Sequence, residues 1–137
     1  MAEARATGTI SAPVDKVWAI VRDFGNLAWG GISVLTLEGS GVGAVRTFSA
    51  VGVTIRERLE TLDELGHSLS YSIVEPSSIP WTGHLARIAL SPQLGGGTHV
   101  EWSGRFEPRG LSEEQVGAIV RGIFENGVRQ LKRAAES

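Results

Sequence analysis

No cysteine occurs among the 137 residues, so disulfides, thiolate nucleophiles and cysteine-ligated zinc or iron–sulfur centres are excluded. Only three histidines are present, at positions 67, 84 and 99. They are scattered over strand and turn segments rather than paired at helical ligand spacing, so no metal is expected. Charge of one sign is also scarce. A net charge of −2 and a pI near 5.9 provide no general attraction to nucleic acid or to an anionic membrane. No apolar run approaches the length of a signal core or a transmembrane helix, so an unexported, cytoplasmic protein without membrane insertion is expected. Repeats and low-complexity tracts are missing too, and 137 residues suit one domain, 1–137, with a folded core over about 7–135.

Several chemistries fall away on motif grounds. Gly39-Ser40-Gly41-Val42-Gly43 has no following lysine and helix, as a phosphate loop needs, and no βαβ setting; it is a hairpin turn. No serine sits in a nucleophile elbow, and nothing assembles a Ser-His-Asp set. No cofactor is indicated. Arg56, Arg58, Arg87 and Arg105 are interleaved with Glu60 and Glu101, the pattern of a solvated face.

What the chain does have is one long amphipathic segment, Ser112–Ala135. Ser112 with Gln115 three residues on has capping-box spacing. Val116, Ile119, Val120, Ile123, Val128 and Leu131 follow at intervals of three and four, opposite Arg121, Glu125, Arg129 and Lys132. Such a helix runs roughly 36 Å and spans a small domain. Gly122 and Gly127 interrupt it at a cost of about 1 kcal/mol each relative to alanine, which calls for close packing or for space left open.

Upstream, Thr7–Ser11 is strand-like, and Ala12-Pro13-Val14-Asp15 turns into a short helix with Val14, Val17, Trp18 and Val21 on one face. Asp23-Phe24-Gly25-Asn26 ends it. A further helical turn over Leu27–Trp29 stops at Gly30-Gly31. From Ser33 the apolar period becomes two: strands are expected at Ser33–Glu38, Val45–Val51, Val53–Asp63, Ser68–Glu75, Trp81–Leu90 and Thr98–Glu107. Alternation puts Val53, Ile55, Glu57, Leu59 and Thr61 on one face, with Leu69, Tyr71 and Ile73, then Ala86, Ile88 and Leu90, and Val100, Trp102, Gly104 and Phe106 also inward. Parity carries His84 inside. Hairpin-linked strands followed by one long helix make an α+β pattern.

The segments Ile10-Ser11-Ala12-Pro13-Val14-Asp15-Lys16-Val17-Trp18, Val42-Gly43-Ala44-Val45-Arg46, Glu57-Arg58-Leu59-Glu60-Thr61-Leu62-Asp63 and Gly96-Gly97-Thr98-His99-Val100-Glu101-Trp102 resemble the START/Bet v 1-like (SRPBCC) superfamily. The nearest likeness is to its bacterial polyketide cyclase/dehydrase and lipid-transport branch. The resemblance implies a helix-grip: a curved seven-stranded antiparallel sheet around the C-terminal helix, two short helices after the first strand, and an apolar cavity between helix and sheet. It implies a cavity lined by Phe48, Glu57, Tyr71, Ile73, His84, Ala86, Trp102, Ile119, Ile123 and Gly127, with Gly127 leaving room beside Glu57 and Tyr71. Plant abscisic acid receptors are more distantly similar, with an inward carboxylate at the place of Glu57. Their ligand-binding lysine is replaced near Ser33 and their gate loop is only Ala50-Val51-Gly52-Val53, so hormone sensing is not carried over.

The implied function is binding of a hydrophobic small molecule, polyketide-like, aromatic or lipid-like. The alternatives are a cofactor-independent cyclase or dehydratase with His84 or Glu57 as acid or base, and a protein-interaction module. Glu57, His84 and Tyr71 are the catalytic candidates. Each has a plain structural alternative: Glu57 bonded to Arg46, to Tyr71 or to trapped water; His84 standing at the cavity mouth; Tyr71 in the core with its hydroxyl satisfied. Trp18 is expected in the core, Trp29 and Trp81 at the cavity entrance, and Trp102 either flooring the cavity or filling it. Monomer and homodimer are both compatible with the sequence.

Overall fold

The computed structural model describes residues 1–50 and 52–137. Element order is β1 (Ala2–Ile10), α1 (Val14–Val21), a 3-10 turn (Ala28–Gly30), β2 (Thr36–Glu38), β3 (Val45–Ala50), β4 (Val53–Asp63), β5 (Ser68–Ile73), β6 (Trp81–Pro92), β7 (Thr98–Pro108) and α2 (Glu113–Glu136). All seven strands join one antiparallel sheet in the order β1-β7-β6-β5-β4-β3-β2. This is the expected helix-grip, with two short helical segments between the first two strands. Val51, at the end of the expected third strand and within the short gate segment, lies outside the described residues.

β1 starts at Ala2, five residues before the expected Thr7. Its inward row, Ala2, Ala4, Ala6 and Gly8, is too weakly apolar to announce a strand, and its smallness has a use. A Cβ on Gly8 would lie 2.6 Å from Val128 Cγ1, so small residues here let α2 settle close against β1. At the other edge only Thr36–Glu38 of the expected Ser33–Glu38 pairs, with Val45–Thr47 of β3.

α2 is capped as its sequence dictates. Ser112 Oγ accepts from Gln115 N at 3.1 Å, and Gln115 Oε1 accepts from Ser112 N at 2.9 Å, an arrangement contributing about 1 kcal/mol. The buried row is Val116, Val120, Phe124, Gly127, Val128, Leu131 and Ala135. Ile119 and Ile123, expected in that row, are 42% and 51% exposed. Steps of 100° place them on the flank of the stripe whose centre Phe124 occupies.

Two irregularities reset strand parity. A register shift between Leu59 and Thr61 in β4 turns Thr61 to the outer face, where its hydroxyl is 2.6 Å from Ser70 Oγ; this corrects the inward placement of Thr61. In β6 a shift between Thr82 and Leu85 surrounds Gly83, which has φ +63°. The extra residue brings both Trp81 and His84 to the inner face, where each is buried.

α2 packs most closely on β1 and β7, with the 3-10 turn and α1 at its side. The gap between helix and sheet therefore opens toward β3, β4 and β5. No helix among the described residues is long and apolar enough to cross a membrane.

Candidate functional site

In that gap lies a cavity of about 520 Å3. Its wall is mostly apolar: Phe48 on β3, Val53 and Ile55 on β4, Ile73 on β5, Ile79 before β6, and Ile119 and Ile123 on α2. The polar groups are few: Arg46, Glu57, Tyr71 and His84 come from four adjacent strands, with Ser78 before β6 and Asn126 and Gln130 on α2, an arrangement that suits orientation of an otherwise apolar guest.

The first group is an ion pair. Arg46 and Glu57 face each other in the β3–β4 register, and Arg46 Nε and Nη2 reach Glu57 Oε1 at 2.8 and 2.7 Å. Both side chains are buried. Each guanidinium nitrogen has a partner: Nη1 donates to the Phe24 carbonyl at 3.3 Å, and Cζ lies 3.9 Å from the Phe24 ring centroid and 5.2 Å from that of Tyr71. Phe24 belongs to the Asp23–Asn26 segment that ends α1, so the end of that helix supplies the lid of the ion pair. Of the alternatives open for Glu57, bonding to Arg46 is the one the structure displays.

The second group is a pair of indole-fixed side chains. Trp102 Nε1 donates to Tyr71 Oη at 3.1 Å, and Trp81 Nε1 donates to His84 Nδ1 at 2.9 Å. The Tyr71 and His84 rings lie 6.4 Å apart with planes 30° from parallel. Phe106 and Phe124 flank His84 at 6.5 and 6.2 Å. Burial pushes the His84 pKa down to about 4. Burial and then the nearby Glu57 charge raise that of Tyr71. At neutral pH the imidazole is therefore uncharged and the phenol protonated.

An indole N–H can only donate, so His84 Nδ1 is an acceptor and the ring proton sits on Nε2. Among the described residues no side-chain N or O is both buried and without a partner. The atoms with no protein partner, His84 Nε2 and Glu57 Oε2, consequently border open space. Tyr71 accepts from Trp102 but donates to no described residue.

Of the ten residues implied by the resemblance, Phe48, Glu57, Tyr71, Ile73, His84, Trp102, Ile119, Ile123 and Gly127 meet at this one cavity. Ala86 does not. It is wholly buried between Tyr71 and Gly104 on the adjoining strands, and its methyl group is too short to reach the lumen. Gly127 makes room for protein rather than for a guest: a Cβ there would lie 2.7 Å from Trp102 Cη2. Trp102 thereby floors the cavity without filling it, stacked on Phe124 at 5.7 Å and 18°. Gly122 has open space around it, and nothing in the structure explains it. Trp29 is half-buried at the rim, 6.4 Å from Trp102, whereas Trp81, expected at the entrance, is inside beside His84.

Arg46, expected only as a bonding partner of Glu57, also lines the cavity. It shares a strand face with Phe48, and that alternation was the available signal. Elsewhere, Trp18 is in the core and donates to Glu64 Oε1 at 2.8 Å. His67 sits in the β4–β5 turn, 3.4 Å from Asp15, away from the cavity.

A long helix gripped by a seven-stranded sheet, with a mostly apolar cavity between them, defines the helix-grip fold. The sequence model of the polyketide cyclase/dehydrase and lipid-transport family matches residues 1–136, and the chain belongs to that family. Its fold is similar to the Bacillus cereus protein XoxI, at TM-score 0.88 and 30% identity over 98% of this chain and 95% of that one. A Thermobifida fusca structure matches at TM-score 0.85 and 27% identity, covering 98% and 93% of the two chains. The ZhuI aromatase/cyclase of Streptomyces sp. R1128 shares the fold at TM-score 0.81 and 17% identity, again over 98% and 93%. Family membership supports hydrophobic ligand binding or a cyclase-type function.

Proposed function

We propose that this protein binds a hydrophobic small molecule between α2 and the β3–β5 half of the sheet, and that it holds this molecule without transforming it. The observation that carries the proposal is how the polar groups are spent. His84 offers the cavity a bound proton and no free lone pair, because Nδ1 is occupied by Trp81. As a neutral imidazole it is a far weaker acid than an imidazolium and acts as a hydrogen-bond donor. Glu57 is tied to Arg46 through Oε1. Such groups orient a guest better than they move its protons, while burial of apolar surface, at about 25 cal/mol per Å2, supplies the affinity.

The cavity volume weighs against a module whose business is only on its surface. The cyclase or dehydratase alternative keeps Glu57 and His84 as its candidates, with Tyr71 as a possible third group. It is separated from binding by comparing Glu57→Gln and His84→Ala with the parent protein. Altered affinity for a retained compound, with no turnover by any of the three proteins, is the expected result. Turnover by the parent that disappears in either variant at preserved affinity would overturn it. Native mass spectrometry and thermal-shift screening against aromatic and acyl compounds identify a retained compound. Failure of all such compounds to bind would remove the binding proposal itself.

A further inference from the structure

Once the internal pairings are subtracted, the sheet side of the cavity is left with two donors, the Tyr71 hydroxyl and His84 Nε2–H, and one free acceptor, Glu57 Oε2, while Ser78, Asn126 and Gln130 add uncharged polar groups from the loop before β6 and from α2. Among the described residues its one lining cation, Arg46, is already neutralised by Glu57. Arg46 has given Nε and Nη2 to Glu57 and Nη1 to Phe24, and both aromatic rings beside it crowd its plane. No lysine lines the space. A carboxylate guest would lose its water, meet no counter-ion and sit near the Glu57 charge, a costly combination in a mostly apolar enclosure. A guest with no oxygen would leave both donors unpaired, which is also unfavourable.

We infer that the cavity selects uncharged, carbonyl-bearing apolar molecules, whose oxygen accepts from Tyr71 and His84, and that Trp81 is the positioning residue that holds His84 as a donor. The inference rests on the ligand-binding function proposed above. Trp81 acts through one atom. Without the indole N–H at Nδ1 the imidazole is free to place its proton on either nitrogen, and a ring protonated at Nδ1 presents a lone pair to the guest carbonyl. Both residues depend on the extra residue at Gly83, which puts positions 81 and 84 on the same face of one strand. Tyr71 is fixed in the same manner by Trp102, so an indole stands behind each donor.

Three probes of nearly equal shape test this: 2-acetylnaphthalene, 2-ethylnaphthalene and 2-naphthoate, titrated at pH 7.5 by calorimetry or by quenching of tryptophan fluorescence. The ketone is expected to bind about tenfold more tightly than the hydrocarbon, the effect of one or two net hydrogen bonds, and the carboxylate more weakly than either. In Trp81→Phe the ratio of ketone to hydrocarbon affinity should fall below about threefold, whatever change is common to both probes; a ratio equal to the parent's would overturn the role of Trp81. Equal binding of all three probes by the parent protein would overturn the selectivity and leave the cavity's ligand-binding role standing; binding of none would overturn both.

The tautomer is read separately from the histidine side-chain nitrogen-15 shifts of the parent protein, free of ligand. A pattern with the proton on Nε2 supports the role of Trp81, and a proton on Nδ1 overturns it whether or not the variant folds. In Trp81→Phe the same spectrum should move toward a mixture of tautomers, a change that loss of packing alone does not produce.

Discussion

The six-membered ring of Trp102 occupies the volume that a side chain at Gly127 would need. Gly127→Ala should therefore destabilise the protein by about 1–3 kcal/mol through overpacking, despite alanine's higher helix propensity. Gly122→Ala, five residues earlier on open helix surface, should stabilise it by about 0.5–1 kcal/mol. Urea unfolding of the two variants checks the pair. Equal effects would mean that Trp102 can move aside freely.

The ion pair in the cavity makes a second prediction. Glu57→Gln leaves Arg46 buried without its counter-charge and should cost about 3–5 kcal/mol. The double variant Arg46→Met with Glu57→Leu removes both charges and should recover much of that loss. A double-mutant cycle by chemical denaturation measures the coupling.

His84 ties stability to pH. Its pKa is about 4 in the fold against 6.5 for the ordinary side chain, so between those values the unfolded chain binds more protons. Stability should be flat above pH 6.5, fall as the pH drops toward 4, and level off below that for this group. In His84→Phe this component of the slope should vanish, which melting temperatures across the range will show.

Outside the cavity, Glu64 adds a pH dependence of the carboxylate kind. Glu64 accepts from Arg22 and from Trp18 Nε1, which holds its pKa down to about 2 from 4.5, the Arg22 bond contributing most. Its contribution is complete above pH 4.5 and is lost as the pH falls through about 2. The stability difference between parent and Glu64→Gln should therefore shrink over that interval.

The frame was legible where periodicity is strong. β4 begins and ends at the expected Val53 and Asp63, and α2 keeps its Ser112 cap because both are written in local spacing. Ala2–Ala6 was not legible as strand because its inward residues are small, chosen for the approach of α2 rather than for apolar bulk. Phe124 was missed as the centre of the helix face for a different reason. Two adjacent rows of α2 are apolar, and a repeat of three and four residues shows the stripe's existence but not its middle.

The cavity's polar chemistry was legible only in part. Glu57 stands out as a carboxylate on an apolar row, and Arg46 follows once strand pairing is known. The Trp81–His84 contact escapes strict alternation, since residues three apart in a regular strand face opposite ways. It exists because Gly83 breaks the count, and a bulge of that kind has no signature in hydrophobic pattern.

That bulge also says how the cavity chemistry can change. Straightening β6 at unchanged length, for instance with a β-branched residue in place of Gly83, would restore the plain alternation and turn Trp81 away from His84, with the frame beyond Leu85 still paired as before. Loss of the bulge at one strand position would thus rewrite which hydrogen-bonding groups a guest meets, with no replacement among the aliphatic wall residues. Kin of this chain that keep the same wall yet differ by one residue here would be expected to prefer different guests.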